Sequence, residues 1–321
     1  MTAKVLSPAE TREGASRLLD RIGQTPLIEL PRFSRGAARV FAKLEQFNPG
    51  GSVKDRIAKA MVEDAETRGQ LRPGGAIVEA TSGNTGVALA MVAAVKDYRC
   101  IVVMPEGYGH VKAKLMQALG AEVVRTPADG LMSGAIERAQ TIARETSGAY
   151  LPNQFANPIN PRTHYETTGP EIFEDAAVPI DAFVAGVGTT GTFSGVARFL
   201  SERNPRILKV AVEPHGSILG GGPRGPHKVE GVGLSFFPDI LDRTLIDEVV
   251  TIADETSFCA CRTLAREEGL LAGGSSGMAA AAALQIARRL GPGRTVVTIF
   301  PDGAERYPAQ GIFDTENRVI G

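Results

Sequence analysis

The sequence predicts an α/β fold of mainly parallel sheets flanked by helices, on three observations. Short apolar runs alternate with helical patterns along the chain, as in strand–helix–strand units. Two of these runs enter their helices through turns of Gly, Ser, Thr and Asn, residues that cap helices and leave backbone amides open. The chain has 321 residues, 43% of them hydrophobic, enough for one large core or two.

In chain order, the first informative segment is Asn48-Pro49-Gly50-Gly51-Ser52-Val53-Lys54-Asp55-Arg56, a Gly/Pro-rich turn opening an amphipathic helix. A helix start opposes positive charge, and partial burial disfavours an ammonium. Lys54 is therefore a candidate Schiff-base former. Next, Ala76-Ile77-Val78 reads as a strand feeding the apolar helix Val87 to Val92 through Glu79-Ala80-Thr81-Ser82-Gly83-Asn84-Thr85-Gly86. Unpaired amides at that helix start suit a carboxylate or phosphate. Cys100 to Met104 and Ala121 to Val124 read as two further strands.

Ala182 to Ala185 is a strand leading into Gly186-Val187-Gly188-Thr189-Thr190-Gly191-Thr192-Phe193-Ser194-Gly195. Its glycines allow close backbone approach and its threonines add donors, so the loop suits a phosphate. It lacks the Lys-Ser/Thr ending of a nucleotide P-loop and the spacing of a dinucleotide fingerprint. Lys209 to Val212 is another strand. The small-residue segment Leu271-Ala272-Gly273-Gly274-Ser275-Ser276-Gly277-Met278 leads into an alanine-rich helix from Ala279 to Leu290, before a final strand, Thr295 to Ile299.

A net charge of −1 and the absence of Trp argue against nucleic acid and anionic membrane as partners. No apolar stretch of spanning length is free of charges, and the first 20 residues carry Glu10 and Glu13 with no signal core, which predicts a cytoplasmic protein. Cys100, Cys259 and Cys261 fit neither a zinc pattern nor a disulfide framework and read as reduced thiols. The four histidines have no metal-ligand spacing, so no metal is expected.

Taken together, the Lys54, Thr81–Thr85, Gly188–Thr192 and Ser275 segments resemble, in this order, the β-family of pyridoxal-phosphate enzymes that includes cysteine synthase and cystathionine β-synthase. The likeness runs from Gly23-Gln24-Thr25-Pro26-Leu27 to Pro301-Asp302-Gly303-Ala304-Glu305-Arg306-Tyr307. It implies two lobes with pyridoxal 5'-phosphate in the cleft between them. The smaller, mobile lobe spans residues 48–157 and the larger spans 158–321, completed by 1–47. It also implies that Lys54 links the cofactor, that Asn84 meets its ring hydroxyl, and that Gly188, Thr189, Thr190, Gly191 and Thr192 cup its phosphate. Ser275 then faces the pyridine nitrogen, while Thr81, Ser82, Gly83, Thr85 and Gln154 hold the substrate carboxylate.

A neutral serine at the ring nitrogen weakens the cofactor as an electron sink and favours loss of a β-substituent after Cα deprotonation. The resemblance thus implies β-replacement on an activated serine through an α-aminoacrylate, with Lys54 as base; O-acetyl-L-serine and sulfide would give L-cysteine and acetate. The expected partners are the amino-acid substrate, sulfide or a thiol or amine nucleophile, a second copy in a homodimer, and the C-terminal tail of serine acetyltransferase. A non-catalytic role as partner of that acetyltransferase is the reading from another class.

Two departures from the cysteine synthase pattern bear on the nucleophile. Gly107-Tyr108-Gly109-His110-Val111-Lys112-Ala113-Lys114 replaces the usual segment after Met-Pro-Glu and predicts a more flexible entrance loop. Lys228-Val229-Glu230-Gly231-Val232-Gly233 carries a glutamate similar to that of cystathionine β-synthases. Glu230 and Gly231 are therefore expected to bind substrate, and a carboxylate there would favour a nucleophile bearing an ammonium, such as homocysteine or an amino acid of a diaminopropionate pathway.

Overall fold

The computed structural model describes residues 17–314. Six strands form the larger sheet: β1 (Leu27–Glu29), β2 (Arg39–Leu44), β7 (Ala182–Gly186), β8 (Leu208–Pro214), β9 (Glu248–Ile252) and β10 (Thr295–Phe300), in the order β1-β2-β10-β7-β8-β9. All neighbours pair in parallel except β1 with β2. A second sheet, entirely parallel, has the order β5-β4-β3-β6, from β3 (Ala76–Ala80), β4 (Arg99–Pro105), β5 (Glu122–Thr126) and β6 (Ala149–Tyr150).

Both sheets bury both faces, which explains strands that read as continuous apolar runs. Along β7, Ala182 and Val184 pack towards α8 (Asp254–Glu268) and α9 (Gly274–Leu290), whereas Phe183 and Ala185 pack towards α6 (Gly169–Ala176) and α7 (Gly191–Arg203). In the smaller sheet Ile77 and Val102 face α1 (Lys54–Thr67) and α2 (Asn84–Lys96), while Val78 and Val103 face α4 (Leu131–Glu145). The two-residue strand period does this sorting.

The six strands expected from sequence are β3, β4, β5, β7, β8 and β10. β1, β2, β6 and β9 are additional. β6 has two residues and β1 three, too short for a pattern, and each is held by its neighbour. The segment Gly107–Lys114 differs from the expected loop: α3 (His110–Ala118) begins inside it. Gly109 enters this helix with φ +61°, and a Cβ there would lie 2.5 Å from the Ser82 carbonyl oxygen. The segment is thereby packed against the Thr81–Gly83 turn. The Ser275 segment also differs, because α9 already starts at Gly274, so Ser275 sits in its first turn.

Behind the Lys54 turn, buried charges tie α1 to the larger sheet. Arg56 Nε lies 2.7 Å from Glu45 Oε2 and Nη1 lies 2.7 Å from Glu171 Oε1, while Lys43 Nζ reaches Glu171 Oε2 at 3.0 Å. Burial opposes the charge on Glu171, yet the Arg56 guanidinium holds its carboxyl down at about 2. Among the described residues no helix is long and apolar enough to cross a membrane.

Candidate functional site

The C-terminal edges of the parallel strands meet in one cavity. β3 ends at Ala80 before the Thr81–Gly83 turn, β7 ends at Gly186 before the threonine loop, and β10 ends at Phe300 before Pro301-Asp302. A crevice at the carboxyl ends of strands is where open α/β sheets bind ligands. Its volume, about 220 Å³, far exceeds the space of one water, roughly 10–15 Å³. Lys54, Thr81, Ser82, Gly83, Asn84, Thr85 and Gln154 line one side; Gly188, Thr189, Thr190, Thr192, Gly231 and Ser275 line the other.

Lys54 is the first residue of α1, and its turn is fixed from behind: Val53 N donates to the Pro301 carbonyl at 2.9 Å and Ser52 bridges Asp302. Burial lowers the pKa of the Lys54 amine, against the opposing charges of Asp302 and Glu45. Burial thus favours the uncharged form that a nucleophile or base requires.

The Thr81–Thr85 turn ends in the first turn of α2, with Gly83 N donating to Thr81 Oγ1 at 3.1 Å. Thr85 Oγ1 donates to Gln154 Oε1 at 2.7 Å, so the Gln154 amide nitrogen remains to meet a ligand oxygen. On the other side Thr190 precedes α7 with φ +72°, a strained conformation for a β-branched residue of the kind found where function holds it.

One observation fits this loop to a phosphate: Thr190 Oγ1 is buried without a hydrogen-bond partner. Gly188 is required by packing, since a Cβ there would sit 2.5 Å from the Gly231 carbonyl oxygen. The open amides at the start of α7 supply the remaining donors. Gly191 is absent from the lining; its Cα abuts the Asn160 side chain, so its place is one of close packing. Asn160 Nδ2 donates to Thr189 Oγ1 at 3.1 Å.

Glu230 differs most from expectation. It is not in the lining; its carboxylate sits on the half-exposed rim, 2.6 Å from Lys112 Nζ and 2.9 Å from Gln310 Nε2. Several residues had no role assigned from sequence. His164, given no role from spacing, lies 3.1 Å from Thr192 Oγ1 through Nε2 and 2.9 Å from Thr168 Oγ1 through Nδ1. Burial, then the nearby Arg56 charge, keeps it neutral. Asp302 and Tyr307 also line the cavity, and Tyr307 donates to Asp302 Oδ2. Both fall in Pro301-Asp302-Gly303-Ala304-Glu305-Arg306-Tyr307, the last segment of the family resemblance, which assigned neither a role.

Residues 18–302 match the family described as pyridoxal-phosphate dependent enzyme. The chain is 45% identical over 299 residues to the O-acetylserine dependent cystathionine beta-synthase of Bacillus subtilis, covering 92% of this chain and 97% of that protein. It is 46% identical to a cysteine synthase of Staphylococcus aureus, covering 92% and 96%. Among solved structures, the O-acetylserine dependent cystathionine beta-synthase of Helicobacter pylori superposes with a TM-score of 0.88 at 44% identity, covering 93% of this chain and 99% of that one.

Proposed function

The chain belongs to the pyridoxal-phosphate-dependent enzyme family, and from that premise we propose that it catalyses β-replacement on an activated serine, converting O-acetyl-L-serine and sulfide to L-cysteine and acetate. The observation that carries this reading is a single cavity shared by the low-pKa Lys54 amine, an amide-rich turn for a carboxylate, a phosphate-shaped threonine loop and the Ser275 hydroxyl.

Pyridoxal phosphate, when bound, supplies an electron sink conjugated to the substrate's Cα. Thr190, Thr192 and the amides of the loop would hold its phosphate, and Asn84 and Ser275 would meet its ring. Thr81 to Thr85 and the Gln154 amide hold the substrate carboxylate, which orients Cα–H towards Lys54. The Lys54 amine takes the Cα proton as acetate leaves Cβ; hydrosulfide then bonds to Cβ and Lys54 returns the proton to Cα. Ser275, a neutral partner, does not fix a positive charge on the ring, and this favours loss of the β-group over racemisation or transamination.

A second reading, homocysteine as nucleophile, is favoured by the Lys112–Glu230 pair at the rim. An incoming amino acid would exchange this internal pair for contacts of its own carboxylate with Lys112 and its ammonium with Glu230, and the relatives include enzymes named cystathionine beta-synthase. The same proposal takes residues 48–157 as the moving lobe, a cytoplasmic homodimer as the working form, and the serine acetyltransferase tail as a cleft ligand. Stopped-flow absorbance with O-acetylserine, followed by sulfide or homocysteine, tests the function. A substrate band discharged fastest by sulfide supports cysteine synthesis; discharge by homocysteine alone moves the assignment to the second reading, and no cofactor band removes both.

A further inference from the structure

Asn84 is held by two side chains of opposite hydrogen-bonding character. Arg306 Nη1 donates to Asn84 Oδ1 at 2.9 Å, and Asn84 Nδ2 donates to Asp302 Oδ2 at 2.6 Å. Arg306 has only donors, and Asp302 Oδ2 already serves as an acceptor for Tyr307, so rotating the amide by a half-turn would set oxygen against oxygen and nitrogen against guanidinium. The amide has one orientation. Nδ2 donates to Asp302 Oδ2 beside the Tyr307 hydroxyl, which Asn84 also meets, and this nitrogen edge of the amide borders the cavity that Asn84 and Asp302 both line.

The clamp is itself rigid. Tyr307 donates to the same Asp302 oxygen, Arg306 also donates to the Gly50 carbonyl, and the Lys112 ammonium lies 4.0 Å from the centre of the Tyr307 ring. The Asp302 backbone bridges Ser52, and the adjoining Gly303 bridges Ala272. One short segment after the last strand thus fixes the Lys54 turn, the Asn84 amide and the approach to Ser275.

We infer that Asp302, with Arg306, is a positioning residue that compels Asn84 to present an N–H donor, never its carbonyl, to the oxygen substituent of the cofactor ring. This rests on the cofactor reading above. An N–H donor favours the ionised ring oxygen, whereas a carbonyl would require it to stay protonated. The carboxyl group acts here through its oxygen acceptor and needs no charge: an amide at position 302 could place its own carbonyl where Oδ2 lies. Its nitrogen would then take the place of Oδ1, which has no hydrogen-bond partner.

The test reads the visible absorbance of the holoenzyme reconstituted with pyridoxal phosphate, together with its cofactor dissociation constant. In Asp302→Ala the long-wavelength band of the ionised ring oxygen falls and the short-wavelength band of the protonated form rises, with roughly tenfold weaker cofactor binding. Asp302→Asn keeps the wild-type spectrum and binds within about threefold of wild type. Asp302→Ser, also too short to reach Asn84, replaces the alanine variant if that fails to fold. An unchanged spectrum in the short variants, or an equal shift in Asp302→Asn, overturns the inference. Asn84→Ala separates the levels: a shift there without one at position 302 leaves the cofactor reading intact, and no shift at Asn84 overturns both.

Discussion

Lys112 Nζ lies 2.6 Å from Glu230 Oε2, joining α3, which packs on the smaller sheet, to the loop between β8 and β9 of the larger one. The lysine is buried and the glutamate half-exposed, with side chains 3% and 46% accessible. The pair therefore spans the mouth of the cavity, and the Glu230 carboxylate is already neutralised before any nucleophile arrives. An extra carboxylate read from sequence as a free anion is, in three dimensions, half of a cross-sheet contact.

Replacing Glu230 by Ala leaves the Lys112 ammonium buried beside an aromatic ring without its partner. We expect a stability loss of about 1–3 kcal/mol, the cost of an unsatisfied buried donor, and Glu230→Gln to recover most of it. Steady-state kinetics with both nucleophiles on the Gln variant should show a raised KM for homocysteine and little change for sulfide.

Lys54→Ala removes both the amine and the cost of burying it. Turnover should fall by roughly 10³-fold or more, as for loss of a general base, while the melting temperature of the apoprotein is unchanged or higher. Calorimetry and the β-replacement assay check the two halves.

In the threonine loop, Gly188→Ala forces a Cβ to within 2.5 Å of the Gly231 carbonyl oxygen. Overpacking against backbone should cost about 1–3 kcal/mol and open the phosphate cup. Equilibrium dialysis should show lost cofactor retention, whereas Thr190→Val should weaken binding by roughly tenfold through loss of one hydroxyl.

Glu79 is fully buried behind the Thr81 turn, its Oε2 has no partner, and burial pushes its carboxyl up to about 8 despite amide hydrogen bonds from Asn153, Ala80 and Gln154. The folded protein holds this proton more tightly than the unfolded chain, whose carboxyl titrates near 4.5. Stability from this residue is therefore full below pH 4.5 and lost as pH rises towards 8. Glu79→Gln should raise stability at pH 9 by roughly 2–4 kcal/mol relative to wild type and leave it nearly unchanged at pH 5, as read by denaturant melts at the two values.

Arg56→Met strands Glu45, which is fully buried and otherwise bonded to Thr25 and Asn48. Removing one partner of a buried pair costs about 3–5 kcal/mol. The double change Arg56→Met with Glu45→Leu should recover much of it, and a double-mutant cycle by urea unfolding measures the coupling.

The sequence by itself determined the strands whose both faces are buried, since β3, β4, β7, β8 and β10 are each built around an apolar run, and it marked the small-residue turns that end in helix starts. It also put Lys54, Asn84, the threonine loop and Ser275 into one resemblance. Only the tertiary structure decided what surrounds them. Asp302, Arg306 and Tyr307 lie in the last segment of the resemblance, more than 200 residues after Asn84, and the contact between them at that separation leaves no local pattern. The same holds for Lys112 with Glu230 and for His164 with Thr192. Periodicity records which face of an element is buried, whereas a hydrogen bond between distant loops exists only once both sheets have packed and their strand ends share one cavity.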